Sequence, residues 1–186
     1  MRKDKDGRLH LKLVLSGPTL AGKTTMLQWL HQNLEGFNKG RLESIEDEYG
    51  RTLYFDYTPL ALEKIVFDIY TQAGQIRHIH QRTIVLKGAD GILLVIDSQP
   101  EALEANKEIV KEVKDYLSKN PDVPVVVAYN KRDLPGVLPV DHLRDTLGLE
   151  GYPSFETVAI NGKGCKAAFA TLMKAMLERA LGKKKK

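Results

Sequence analysis

Two glycines bracket four residues at positions 17–24, "GPTLAGKT", and a lysine and a hydroxyl follow at once. That spacing suits anion binding. Gly17 and Gly22 let the backbone curl so that the N–H groups of Pro18's neighbours, Thr19, Leu20, Ala21 and the residues after them converge on one point. A helix opening at Lys23 would aim its unpaired N–H groups and positive dipole end at the same place. Lys23 would bridge β- and γ-phosphates, the Thr24 hydroxyl would coordinate Mg²⁺, and Thr25 would close the cradle. The chemistry is the grip of a nucleoside triphosphate.

A second stretch chooses the base. "NKRD" at 130–133 directly follows the apolar run "VPVVVAY". A carboxylate in the plane of the base, Asp133, can accept from both the N1–H and the 2-amino group of guanine. Adenine has no donor at either place and would leave the acid desolvated without a partner. Asn130 can address the other edge of the base, and the Lys131 stem can cover its face. In this order after the first loop, the pattern points to guanine.

These residues need elements that hold them. Leu9, Leu11, Leu13 and Leu15 alternate, which predicts a strand running into Gly17. Leu27, Leu30 and Leu34 share one face of a helix expected over 23–34. Residues 35–51 are polar and glycine-containing and read as a long loop. "TLYFDY" and "KIVFDIYT" read as two strands joined by "TPLALE", while "GILLVID" and "VPVVVAYN" have the apolar character of parallel strands buried on both faces. Helical patterns over about 100–118 and 163–181, with a short strand near "FETVAI", complete the series. Strands alternating with helices predict an α/β fold: a mostly parallel sheet with helices on both faces.

Composition excludes several classes. The chain has 186 residues, 42% hydrophobic and 28% charged, which suits one globular domain. We divide it into a flexible lead-in at 1–8, a domain at 9–181 and a basic tail at 182–186. The net charge of +4 equals the four terminal lysines, so the body balances 24 basic against 24 acidic residues. A specific nucleic-acid face is not indicated. The tail could touch an anionic membrane transiently, or only aid solubility. A lone cysteine, Cys165, excludes an intrachain disulfide. No signal segment or lipidation motif is apparent, and a cytoplasmic setting is expected.

With "SGPTLAGKTT", "TQAGQ", "YNKRD" and "VAING" in this order, the chain from Leu9 to Leu181 resembles the small Ras-like GTPases, P-loop proteins that bind and hydrolyse GTP with Mg²⁺. "GRTLYFDYTPL", "TQAGQ" and "DSQPEALEAN" look most like the bacterial MglA group of polarity switches. The resemblance implies that Ala159 and Ile160 belong to the last guanine-contacting loop. It places Thr52 on Mg²⁺ and γ-phosphate; Ser44 is the competing hydroxyl, but only Thr52 immediately precedes an apolar strand. It places the Gly74 N–H on the γ-phosphate and makes Gln75 the residue that orients the attacking water. Arg51 would act as an arginine finger in cis. A Roadblock-fold activator of the MglB type and unknown effectors in polarity or motility are the implied partners.

One departure stands out. Thr71 occupies the position where most relatives carry an aspartate, three residues before that glycine, a substitution shared with the MglA group. Asp56 is the candidate replacement, its carboxylate reaching the same metal-bound water; an exposed strand aspartate is the other reading. Asp97, in "LLVID", resembles a generic metal aspartate and keeps a P-loop ATPase open as an alternative, as does a nucleotide-dependent adaptor with negligible hydrolysis. The duller role for Asp97 is capping the next helix. His78 and His80 lack enough partners for a metal site.

Overall fold

The computed structural model describes residues 2–43, 56–72 and 84–182. The alternating leucines form β2 (Leu9–Ser16), which follows a short β1 (Arg2–Lys3). Then come α1 (Lys23–Asn33), β3 (Asn38–Lys39), β4 (Tyr57–Leu62), β5 (Ile65–Thr71) and β6 (Gly91–Asp97). The chain continues with α2 (Leu103–Lys119), β7 (Val125–Asn130), α3 (Val140–Leu147), β8 (Ser154–Glu156) and α4 (Cys165–Ala180).

The strands form one sheet in the order β3-β4-β5-β2-β6-β7-β8, with β1 paired to β2. β2 lies parallel to both β5 and β6, and β6–β7–β8 continue parallel, while β3–β4–β5 run antiparallel. Every residue of β6 and β7 is buried, as their unbroken apolar runs require. Alternation splits the core in two. Leu11, Leu13 and Leu15 pack with Met26, Leu27 and Leu30 of α1 and with Phe169, Leu172 and Met176 of α4. On the other face Val14, Ile92, Leu94 and Ile96 meet Ile109, Val110 and Val113 of α2 and Leu143 and Leu147 of α3. The expected α/β class is therefore observed.

Three local readings differ. "TPLALE", expected as a connection, lies mostly inside β4, and the turn is the pair Glu63–Lys64, with Glu63 left-handed at φ 51°. Pro59 argues against a strand because it has no N–H. Here it needs none: its carbonyl accepts from Gly40 N at 2.9 Å, and the ladder with β5 carries the pairing. The helix α3 was not anticipated, since eight residues give barely two turns of periodicity; its marks are Pro139 before it and a left-handed Gly148 after it. Residues 2–8, expected as a flexible lead-in, form a paired arm. Arg2 and Lys3 oppose His10 and Leu9, Asp4 accepts from Arg8 N at 2.9 Å and from Arg8 Nε at 2.8 Å, and His10 bridges Asp4 and Asp68.

Among the described residues no helix is long and apolar enough to cross a membrane.

Candidate functional site

Parallel strands that leave the sheet at one edge deliver their loops to one crevice, and this is where the predicted residues gather. β2 ends at Ser16 and passes into the glycine loop. Gly17 backs onto β6, where a Cβ would stand 2.3 Å from the Val95 carbonyl oxygen. Pro18 O accepts from Ala21 N at 3.2 Å, a turn that puts Thr19 and Leu20 at the tip; Leu20 is left-handed at φ 62° and exposed. Gly22, at φ 91°, is the cap residue before α1. The Lys23 ammonium is buried inside the loop, donating to Gly17 O at 2.9 Å and Pro18 O at 2.7 Å. Those carbonyls hold the charge at the centre of the cradle.

The next residue bonds to Asp56. The Thr24 hydroxyl donates to Asp56 Oδ2 at 2.6 Å, and the Thr71 hydroxyl donates to the same oxygen at 2.8 Å. Asp56 N in turn donates to Thr71 Oγ1 at 2.8 Å. Asp56 is 1% exposed, so it is no surface aspartate. The carboxylate sits beside the P-loop hydroxyl, and Thr71 braces it. Hard oxygen donors of this kind suit Mg²⁺, and no group of three His, Cys, Asp or Glu side chains among the described residues offers a different sort of metal site.

Across the crevice the "NKRD" residues divide their labour. Asn130 is 1% exposed. Its Nδ2 donates to Ala21 O at 2.7 Å, and its Oδ1 accepts from Ala159 N at 3.0 Å and from the Thr157 hydroxyl at 3.2 Å. Its amide latches the glycine loop to the loop after β8. The latch explains Gly22 as well, because a Cβ there would meet Asn130 Nδ2 at 2.4 Å. Lys131 takes a left-handed conformation at φ 65° and pairs with Asp97 Oδ2 at 2.7 Å. Asp133 is exposed and lines a cavity of about 220 Å³ with Leu20, Gly22, Thr25, Lys131 and Ala159. Ile160, 71% exposed, stands at its rim, and Ala159 is buried.

Asp97 departs from both of its expected roles. Its Oδ1 accepts from Gln99 N at 3.1 Å, while the following helical turn starts with Gln99 as its cap residue, so the contact is a tight turn before the helix. Its other oxygen is committed to Lys131, and the carboxylate beside Thr24 is Asp56. An ATPase metal role for Asp97 has no geometry behind it. Thr157 and Gln99 also bond to these residues, Thr157 to Asn130 at 3.2 Å and Gln99 to Lys131 at 2.8 Å, partners that lie far away in sequence.

Arg51, Thr52, Gly74 and Gln75, with Ser44, His78, His80 and the lysine tail, lie outside the described residues. Cys165 is buried, and burial pushes its thiol up to about 11, which suits a packing residue.

A solved structure of the Arl6 BBS3 small GTPase from Trypanosoma brucei, with bound nucleotide analogue GppNp, superposes with a TM-score of 0.71 at 18% identity, covering 91% of this chain and 98% of that one. ADP-ribosylation factor-like protein 6 of Caenorhabditis elegans is 26% identical over 175 residues, 89% of this chain and 86% of that protein. The mutual gliding-motility protein MglA of Myxococcus xanthus is 38% identical over 178 residues, 91% of each chain. The family model for Ras matches residues 12–178. With a glycine loop, a base-recognition loop and a sheet in this order, the chain belongs to the Ras family of small GTPases.

Proposed function

We propose that this chain is a GTP-binding and GTP-hydrolysing switch of the MglA kind, acting in cell polarity or motility. The observation that carries the nucleotide reading is the Asn130 latch. One buried amide ties the phosphate loop, through Ala21, to the base loop, through Ala159, so that both halves of a guanine nucleotide site form a single crevice with Asp133 at its far wall. In this reading Lys23 and the loop amides hold the phosphates. The Thr24 hydroxyl and Thr52 would hold Mg²⁺, which would supply charge neutralisation on the phosphates when bound. Asp56 would support the metal's water shell in place of an aspartate at position 71.

Hydrolysis needs a placed water and charge compensation on the transferring phosphoryl group. Gln75 orients the water, the Gly74 N–H meets the γ-phosphate, and Arg51 supplies the cationic finger. Such fingers are worth about 10³ to 10⁵ in rate. An activator of the Roadblock fold, as in the MglB type, would act by repositioning Arg51 and Gln75.

The test begins with the nucleotide that co-purifies and with fluorescent GDP against fluorescent ADP. Guanine preference is expected, and equal binding of both would overturn the base assignment. Single-turnover GTP hydrolysis is then followed with and without a Roadblock-fold protein. Arg51→Ala and Gln75→Leu should each keep GTP binding and lose stimulated turnover. Unchanged turnover in either variant removes that residue from the mechanism, and no turnover in any condition favours an adaptor.

A further inference from the structure

The strand register places Asp97, the last residue of β6, directly beside Asn130, the last of β7, and Lys131 follows at once. Lys131 adopts a left-handed backbone, which a residue with a Cβ adopts at a cost and which the surrounding structure must therefore impose. Its ammonium donates to two acceptors, Asp97 Oδ2 at 2.7 Å and Gln99 Oε1 at 2.8 Å. The side chain is 23% exposed, and it forms a wall of the cavity that holds Asp133.

Asp97 is itself fixed on every side. Its side chain is 5% exposed. Its Oδ1 takes the Gln99 N–H, and Asn106 of α2 clamps its peptide groups, Nδ2 donating to Asp97 O at 2.8 Å and Oδ1 accepting from Asp97 N at 3.1 Å. Asn106 is 0% exposed. A fully satisfied polar pair at this depth fixes one geometry where apolar packing would fix only a volume.

We infer that Asp97 and Asn106 are positioning residues for guanine binding: they hold Lys131 stretched along the cavity wall, so that its stem is ordered before the base arrives. A lysine has many rotamers, and ordering it on binding would weaken the complex. Here the ordering is complete in the folded chain. The first turn of α2, on the far side of β6 from the phosphate loop, thereby becomes part of the guanine site. The inference rests on the reading of this cavity as a guanine site.

The experiment uses the full chain and fluorescent GDP, with dissociation followed by chase and unfolding followed separately. The wild type should bind GDP; if it does not, the site reading falls and this inference with it. Asp97→Asn keeps the shape and loses the charge, and should weaken GDP binding about tenfold, mainly through faster release. Asn106→Ala should give a loss in the same direction. In a Lys131→Met background the Asp97→Asn change should alter GDP affinity less than about twofold, because its route to the base is gone. A tenfold loss that persists in that background would make Asp97 merely structural and overturn the inference, as would wild-type affinity in Asp97→Asn. Should Asp97→Asn fail to fold, Gln99→Ala removes only the second acceptor on the ammonium. Faster GDP release from it supports the inference, and unchanged release overturns it.

Discussion

Replacing Asp56 by asparagine tests how the metal is supported. The carboxylate is 1% exposed and accepts from Thr24 at 2.6 Å and Thr71 at 2.8 Å, both on Oδ2. A hydrogen bond to a charged group contributes about 1.5–3 kcal/mol, against about 0.5–1.5 for a neutral one. Two such bonds place the loss on neutralisation at about 2–3 kcal/mol by the same figures. Outer-shell groups of a metal site carry about 10–100-fold in metal affinity. Asp56→Asn should therefore shift the Mg²⁺ concentration needed to slow GDP release upward by about that factor. The assay is fluorescent-GDP dissociation across a Mg²⁺ titration, with chelator as the metal-free limit, where variant and wild type should release GDP alike. Relocating the charge sharpens the test. Thr71→Asp alone would put two buried carboxylates side by side, a repulsion of about 4 kcal/mol at 4 Å in a medium of effective dielectric near 20. Without metal this variant should therefore unfold more readily than the wild type at neutral pH. The swap Asp56→Asn with Thr71→Asp should recover Mg²⁺ sensitivity. An Asp56→Asn titration that overlays the wild type would refute the reasoning.

Gly162 lies at φ +76°, and a Cβ there would stand 2.0 Å from the indole of Trp29, so Gly162→Ala should cost about 1–3 kcal/mol in thermal or urea unfolding. Gly36→Ala, at φ +80° but in open space, should cost only the backbone share; equal losses would show that the indole contact carries nothing. Cys165, with its thiol pushed up by burial to about 11, should resist alkylation at pH 8 in the folded chain and react at the ordinary rate once unfolded; rapid labelling of folded protein contradicts its placement. Burial pulls Asp4 up, but the Arg8 N–H, His10 and the Arg8 guanidinium outweigh it and hold the carboxyl at about 2 against the usual 3.8. Its contribution to the β1–β2 pairing is then present above the usual value and lost as pH falls toward 2. Hydrogen exchange at Arg2 and Lys3 should show that loss in the wild type and a flat profile in Asp4→Asn.

What the sequence reveals follows the range of the forces involved. Leu9 to Leu15, "GILLVID" and "VPVVVAYN" read correctly because burial on one or both faces imposes a pattern within a few residues. The Leu60 face of β4 was hidden by Pro59, whose missing donor is harmless only because of how β3 and β5 lie beside it. The short α3 offered too few turns for a period, although its boundary residues were visible.

The site divides along the same line. Gly17, Gly22, Lys23 and Thr24 lie within one short stretch, so their spacing alone places them, and the structure gathers them at the end of β2. Asn130 was found by its motif, but its latch to Ala21 and Ala159 was not legible, since those partners lie 109 and 29 residues away. Asp97 shows the limit most clearly. Its own neighbourhood suggests a metal ligand or a cap, and only the parallel register of β6 with β7 brings it beside Lys131. A residue's type sets which bonds it can make, whereas the sheet decides which of them are within reach. In this chain the charged groups at the strand ends acquire their roles from the neighbouring strand or the residue that follows it: Asp56 from Thr71, and Asp97 from Lys131.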